Sequence, residues 1–435
     1  MRRRAFLRAM GAGVATPIAA AFSPGCARGR RIARVEWFVF DPSAGLPSPG
    51  SLGVQGTPPA PAPRCYPAVR ITAANGAAGG CVGSGALYRD VTPDFASRAA
   101  AETSWLCGID ADDPREVWAR LIKAGVAPSV LNLVDIALWD LLGHLRGMPL
   151  ADVLGDRARG RVRYYVSSTP DLGPPGVYAI HAATVQRWGY QGYKIHPYVR
   201  FNPTANRWRE PGDPAGFPEH DMAVFREVRH RLAAGFSLMV DNCHTYNLAQ
   251  AMRIGRELDE LGCTWLESPM PEQDSWRDAY VSLAEAIRTP ICAPESLTGF
   301  YQERLEWMRH RALDINRIDV EYGGFTACHA LVEACRDAGI PVDLHGIPMS
   351  DYHLPLYAVF PESVLPWRER HLPNPDTSIP ADPLPFMEHD PGRPWLRRFP
   401  DTRADAQGCC HLTYPLPGFG MDYDWEFILD TRIPA

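Results

Sequence analysis

Five residues able to do acid–base or metal chemistry recur at one rhythm along the middle of this chain. Asp241 closes the apolar run Leu238-Met239-Val240, and Glu267 closes Thr264-Trp265-Leu266. Glu295 follows Ile291-Cys292-Ala293-Pro294. Arg317-Ile318-Asp319 and Pro341-Val342-Asp343-Leu344-His345 come next, so the steps from Asp241 to His345 are 26, 28, 24 and 26 residues. Upstream, Gly192-Tyr193-Lys194-Ile195-His196 has the same form. Three carboxylates at strand ends that share one mouth repel each other strongly unless a cation sits among them. An all-oxygen donor set suits a hard divalent ion, which makes Asp241, Glu267 and Glu295 ligands for Mg2+, with Mn2+ as the second choice. Asp319 beside His345 would fix the imidazole tautomer and raise its basicity, as a general base requires. Lys194 and His196 are two apart on a strand and so project to one side, across from the Asp319–His345 pair. A cation there can offset a substrate carboxylate. His244, three residues past Asp241, lies within reach of the same ligand.

The elements that would hold these residues follow from the spacing. A step of this size fits one strand, a loop and a helix of two to three turns, which is the period of a (β/α) barrel with its chemistry at the carboxyl ends of the strands. Helices are expected at 176–189, 219–233, 247–261, 274–288, 299–310 and 326–338, with a polar insertion over 197–218. Ahead of the barrel, Ile32–Phe40 alternates as a strand, a second strand spans Ala68–Ala73, and Gly76, Gly79 and Gly80 turn into a third near Val82. Helices at 92–106 and 114–124 precede Leu131–Leu145, which is apolar on nearly every face and therefore buried. These residues form an α+β unit. The Pro-rich stretch 42–67 within it reads as a lid or binding loop. Past His345 the regularity fades, and 366–400 reads as Pro-rich and irregular.

Composition narrows the function further. The 435 residues are 46% hydrophobic and 22% charged, with a net charge of −6 that supplies no basic field for nucleic acid. Eleven cysteines lack CxxC or Cys/His metal spacing, and most read as small buried hydrophobes rather than a disulfide framework. Arg2-Arg3-Arg4-Ala5-Phe6-Leu7-Arg8 carries a twin-arginine pattern, and the mild apolar run that follows is too short to span a bilayer. Residues 1–29 are therefore expected to be a signal peptide that directs export to the periplasm, with Cys26 as an alternative site for a lipid anchor.

Taken together, these features resemble the mandelate racemase/muconate-lactonizing branch of the enolase superfamily. The resemblance rests on Asp135-Ile136-Ala137-Leu138-Trp139-Asp140-Leu141-Leu142-Gly143 and on the Asp241/Glu267/Glu295 set with Glu267-Ser268-Pro269. Gly323-Gly324 after Asp319, His345, and Pro417-Gly418-Phe419-Gly420 add to it. It implies a modified TIM barrel, (β/α)7β, over 156–373 under an N-terminal α+β capping domain at 30–155, with 374–435 packing back on the cap. It also implies Mg2+ at Asp241, Glu267 and Glu295 holding a substrate carboxylate, and Asp319–His345 as the dyad that removes the α-proton to give an enediolate. Lys194 matches the first lysine of the family's Lys-x-Lys motif, whereas His196 replaces the second. The acid that the family places on the last barrel strand would fall near Trp367, where Glu362 is the nearest carboxylate. The branch further implies a small carboxylate substrate and a homo-oligomer. Because an imidazole donates a proton near neutral pH more readily than an ordinary lysine, the expected reaction is dehydration of a hydroxy acid of acid-sugar type. Racemisation or epimerisation is the alternative, and a non-catalytic exported homologue that binds metal and ligand is a reading from another class.

Overall fold

The computed structural model describes residues 29–42, 65–83, 90–297, 300–346, 349–371 and 393–434. The stretch expected to be a signal peptide, up to residue 28 and with Cys26, and most of the 42–67 loop lie outside the described residues.

The chain starts with an antiparallel sheet of β1 (Ile32–Phe40), β2 (Tyr66–Ala73) and β3 (Ala78–Val82), paired in that order. Helices α1 (Phe95–Thr103), α2 (Pro114–Ala124) and α3 (Pro128–Arg146) follow. Helix α2 begins where the Asp113 side chain accepts the N–H groups of Arg115 and Glu116, and it stops at Gly125, whose φ is 68°. Helix α3 has no polar face over most of its length because β2 and β3 cover one side and the barrel covers the other. A short helix α4 (Leu150–Leu154) leads into the barrel.

Eight strands run parallel: β4 (Arg161–Ser167), β5 (Gly192–Ile195), β8 (Ser237–Asp241), β9 (Trp265–Glu267), β10 (Ile291–Cys292), β11 (Asn316–Ile318), β12 (Val342–Leu344) and β13 (Trp367–His371). Between β5 and β8 the polar insertion folds into a small hairpin, β6 (Phe201–Asn202) and β7 (Arg207–Trp208). The ladder β13-β4-β5-β8-β9-β10 is continuous, Cys292 bridges to Ile315, and β11 pairs with β12. The Val342 N–H donates to the Val364 carbonyl at 2.7 Å and turns the wall back towards β13. Seven helices connect the strands: α5 (Pro175–Arg187), α6 (Pro218–Arg231), α7 (Leu248–Leu261), α8 (Arg277–Ala286), α9 (Phe300–Arg309), α10 (Gly324–Ala338) and α11 (Leu354–Val359). This is the (β/α)7β order. Inside the barrel, Tyr165, Met239, Trp265, Cys292, Ile315 and Trp367 form their own apolar cluster, a floor beneath the charged residues.

One sequence expectation needs correction. The region read as irregular from residue 366 begins with the eighth strand, β13, whose register sets Trp367 opposite Arg163 and His371 opposite Ser167. Three charged residues in five hid it. Glu369 is neutralised inside the barrel, while Arg368 on the outer face donates to the Tyr164 hydroxyl at 2.7 Å and to Asp351 at 2.6 Å. The C-terminal chain touches both halves of the molecule. β14 (Leu396–Arg398) pairs with β16 (Asp422–Tyr423), and β15 (Cys409–His411) adds antiparallel to β4. The closing helix Trp425–Asp430 lies against β1.

Two buried aspartates of α3 explain why distant motifs co-occur. Asp135 accepts the N–H and the hydroxyl of Thr326 at 2.7 and 2.6 Å. At neighbouring Gly324, with φ at 80°, a Cβ would fall 2.5 Å from the Asp135 Oδ2. Asp140 accepts the N–H groups of Gly80 at 2.9 Å and Phe419 at 3.0 Å, joining the cap to the C-terminal Pro417–Gly420 turn. Among the described residues no helix is long and apolar enough to cross a membrane.

Candidate active site

Strand register brings the rhythmic residues to one level. Lys194 lies opposite Met239 on β8, and Asp241 lies opposite Glu267 on β9. One oxygen each from Asp241, Glu267 and Glu295 lies within 4.8 Å of the others. Glu267 is fully buried, and burial pushes its carboxyl well up despite Arg317 and Lys194 beside it. Burial opposes the charge of Asp241 too, but His196, Lys194 and the Cys243 N–H outweigh it and hold that carboxyl well below the usual range. At Glu295, burial is outweighed by His345 and Arg317, and its carboxyl is held low.

Lys194 sits beneath these groups with no exposed surface. Its Nζ is 3.0 Å from both Glu267 oxygens, 3.7 Å from Asp241 and 2.8 Å from Glu369. Burial and Arg317 work against the ammonium, but Glu267, Glu369 and Asp241 together raise its pKa above the ordinary value. His196 is turned against the carboxylate cluster, its Nε2 at 2.9 Å from Asp241 Oδ2. The dyad forms as expected from its spacing: His345 Nδ1 is 2.9 Å from Asp319 Oδ2, and its Nε2 is 3.6 Å from Glu295 Oε1. Burial lowers the His345 pKa, but Glu295 and Asp319 prevail and raise it. His244 is engaged beside this centre rather than within it. Its Nε2 lies 3.2 Å from Glu272 Oε2 and 3.2 Å from Ser296 Oγ; burial lowers its pKa, but Glu272, with Glu295 and Asp241, lifts it to about 9. Its φ of 64°, with 47° at Cys243 and 40° at Ser268, marks a strained stretch beside the site.

Sequence reasoning missed three members of the cluster. Arg317, fully buried on β11, lies 3.0 Å from Glu267 Oε1, donates to Glu369 Oε2 at 2.7 Å and pairs with Asp343. Glu369 on β13 also accepts from Ser167 Oγ at 2.6 Å and the Gly346 N–H at 2.8 Å. It is the last-strand acid that the sequence reading could not locate. Glu362, which the sequence reading singles out, is exposed and pairs with Arg163, and it lies farther from Trp367 than Glu369 does. The signal was there: Glu369 falls 24 residues beyond His345, a step the earlier strands already used. His371, two residues on, has its ring 6.3 Å from that of His196 and lines a cavity of 380 Å³ with Tyr66, Arg370 and Arg393.

The donor set fits a divalent cation. Asp241, Glu267, Glu295, Glu369 and Asp343 converge on Lys194 and Arg317, so carboxylates outnumber permanent cations, and the Asp241/Glu267/Glu295 trio offers oxygen alone.

The profile of the family described as "Enolase C-terminal domain-like" matches residues 178–427. The chain belongs to the enolase superfamily. A superfamily structure, D-glucarate dehydratase from Agrobacterium tumefaciens complexed with magnesium, superposes with a TM-score of 0.75 at 26% identity, over 93% of this chain and 100% of that one. D-galactarolactone cycloisomerase of Agrobacterium fabrum is 25% identical over 370 residues, 82% of this chain and 89% of its own. L-talarate/galactarate dehydratase of Salmonella typhimurium is 27% identical over 275 residues, 61% of this chain and 63% of its own. These relatives carry the modified barrel under an N-terminal cap that is seen here, so the α3 clasps described above join the two parts of an enolase-superfamily fold.

Proposed function

We propose that this protein is an acid-sugar dehydratase: it removes the proton α to a hydroxy-acid carboxylate and expels the β-hydroxyl as water. The observation that carries this reading is the His345–Asp319 dyad, whose free Nε2 faces the carboxylate cluster at Glu295. Mg2+, with Mn2+ as a substitute, would be held by Asp241, Glu267 and Glu295 and would anchor the substrate carboxylate while lowering the cost of charge on it. Asp319 holds the His345 Nδ1 proton, which leaves Nε2 as the basic nitrogen that takes the α-proton. Lys194 keeps the floor of this pocket cationic, beneath the carboxylate. The acid-sugar dehydratases and the cycloisomerase among the relatives support the same substrate class.

Racemisation by a lysine base is disfavoured by the ion pairs of Lys194. An ammonium within 3.0 Å of two carboxylates keeps its proton. The test is a panel of acid sugars and other hydroxy acids in D2O with Mg2+, following keto-acid formation and α-deuterium in recovered substrate. Keto acid formed by the wild type and lost in His345→Asn and Glu267→Gln supports dehydration. Deuterium without keto acid indicates a racemase or epimerase, and neither signal indicates a non-catalytic homologue.

The Arg2–Arg8 pattern supports export of the folded protein to the periplasm, tested by fusing residues 1–29 to a reporter in hosts with and without twin-arginine transport. Labelling with a radioactive fatty acid tests Cys26 as a lipid anchor. The homo-oligomer implied by the family is tested by sedimentation.

A further inference from the structure

Glu321 is a buried acid that none of the roles above uses. It stands two residues past Asp319 in the loop from β11 to α10, is 8% exposed, and has its Oε1 buried without a hydrogen-bond partner. Its backbone is held from two sides. The Glu321 N–H donates to Asp319 Oδ1 at 2.6 Å, and its carbonyl accepts from Asn132 of the cap. The same Asn132 accepts the Gly323 N–H at 3.0 Å, and Trp118 Nε1 donates to the Gly323 carbonyl at 2.7 Å. The cap thus fixes the one loop that carries both the dyad's aspartate and this acid.

An unpaired polar atom is expensive to bury, and an unpaired charge far more so. Here burial is reinforced by the carboxylates of Asp319 and Glu295 on the barrel side, and the Cys81 thiol is the titratable group on the cap side. His345 and Arg317 pair with those two carboxylates, but no cation among the described residues lowers Glu321 itself. These surroundings favour the neutral carboxylic acid. A carboxylic acid kept neutral close to an ionised carboxylate is the usual arrangement of a proton donor. The hydrogen bond from the Glu321 N–H to Asp319 Oδ1 keeps this acid beside the dyad. His196, already bound to Asp241, is less free to serve.

We propose that Glu321 is the acid of the reaction and protonates the hydroxyl that leaves the carbon β to the substrate carboxylate. This rests on the dehydratase reading. His345 takes the α-proton, the Cα–Cβ double bond forms as the Cβ–O bond breaks, and the Glu321 proton joins the departing oxygen to release water. The enol left behind tautomerises to the 2-keto acid, and the proton on His345 returns through water to Glu321. Substrate becomes keto acid and water with no other reactant.

The experiment compares wild type and Glu321→Gln, with Mg2+ and the acid-sugar panel in D2O. Glu321→Gln should form keto acid about 100-fold more slowly while α-deuterium exchange stays within about threefold of wild type, the range expected for loss of one general acid. Equal loss of both signals in a folded variant, or loss of neither, overturns the proposal. Infrared difference spectra at pH 7, wild type minus Glu321→Gln or Glu321→Leu, should show the carbonyl band of a protonated carboxyl. Its absence overturns the proposal whatever the panel gives. A wild type that exchanges no α-proton, or exchanges without making keto acid, overturns the dehydratase reading itself and the role of Glu321 with it. Normal elimination by Glu321→Gln overturns the role alone.

Discussion

Lys194 Nζ stands 2.8 Å from Oε1 of Glu369, while the other oxygen of that carboxylate accepts from Arg317 at 2.7 Å. One side chain on the last barrel strand therefore ties together the two permanent cations under the site. Glu369→Gln keeps the shape but leaves both cations short of a buried partner. Breaking such a pair costs roughly 3–5 kcal/mol. Glu362→Gln, at an exposed ion pair with Arg163, should change stability by less than about 0.5 kcal/mol. Urea unfolding at pH 7 measures both. Equal effects would mean that Glu369 is not inside the barrel.

The same contrast shows what the sequence could reveal. Asp241, Glu267, Glu295, Asp319 and His345 were legible because each interrupts an apolar strand at a fixed step, and the structure brings all five to one mouth. Lys194 and His196 were legible as a pair, but not their engagement with Glu267 and Asp241. Glu369 and Arg317 were hidden because they sit inside the barrel as mutual counter-ions. A buried charge that is neutralised by partners far away in sequence leaves no hydropathy signal. His371 was lost with the strand that carries it.

Carboxylate excess at Asp241, Glu267 and Glu295 makes the metal a stability ligand. Mg2+ at 100 times its Kd should raise the unfolding free energy by about 2.7 kcal/mol. Glu267→Gln should abolish the increment, and a chelator should reverse it. Binding requires the ionised ligand, and burial holds the Glu267 carboxyl up in the metal-free protein, so affinity should increase with pH. Thermal unfolding over a Mg2+ series at two pH values would show this. An increment that survives in Glu267→Gln would place the cation elsewhere.

Asp319→Asn tests the dyad. The Asp319 carboxylate holds the His345 Nδ1 proton and, with Glu295, raises the imidazole pKa against burial. The base acts when neutral, so activity appears as pH rises through that pKa. Removing the Asp319 charge should move this limb to lower pH, while the plateau falls about 100- to 10,000-fold through loss of the correct tautomer. The pH dependence of α-deuterium exchange measures both effects. A plateau unchanged by the substitution would remove Asp319 from the mechanism.

His329 makes the joint between cap and barrel sensitive to acid. Its ring is buried against Trp139, Phe325 and Phe360, and Arg115 of α2 sits 3.2 Å from its Nδ1. Burial pushes its pKa down to about 3, with Arg115 and Arg336 adding to the effect. Between the unfolded value near 6.5 and that folded value, the unfolded chain binds a proton that the native protein does not. Stability therefore falls with falling pH, by about 1.4 kcal/mol per unit, or on the order of 3 kcal/mol between pH 6.5 and 4.5. His329→Gln can still accept from Arg115 and has no such proton to take up. Its stability should follow a shallower slope over this window, measured by urea unfolding at half-unit intervals. Parallel slopes in the two proteins would mean that the acid sensitivity of the joint lies in other groups.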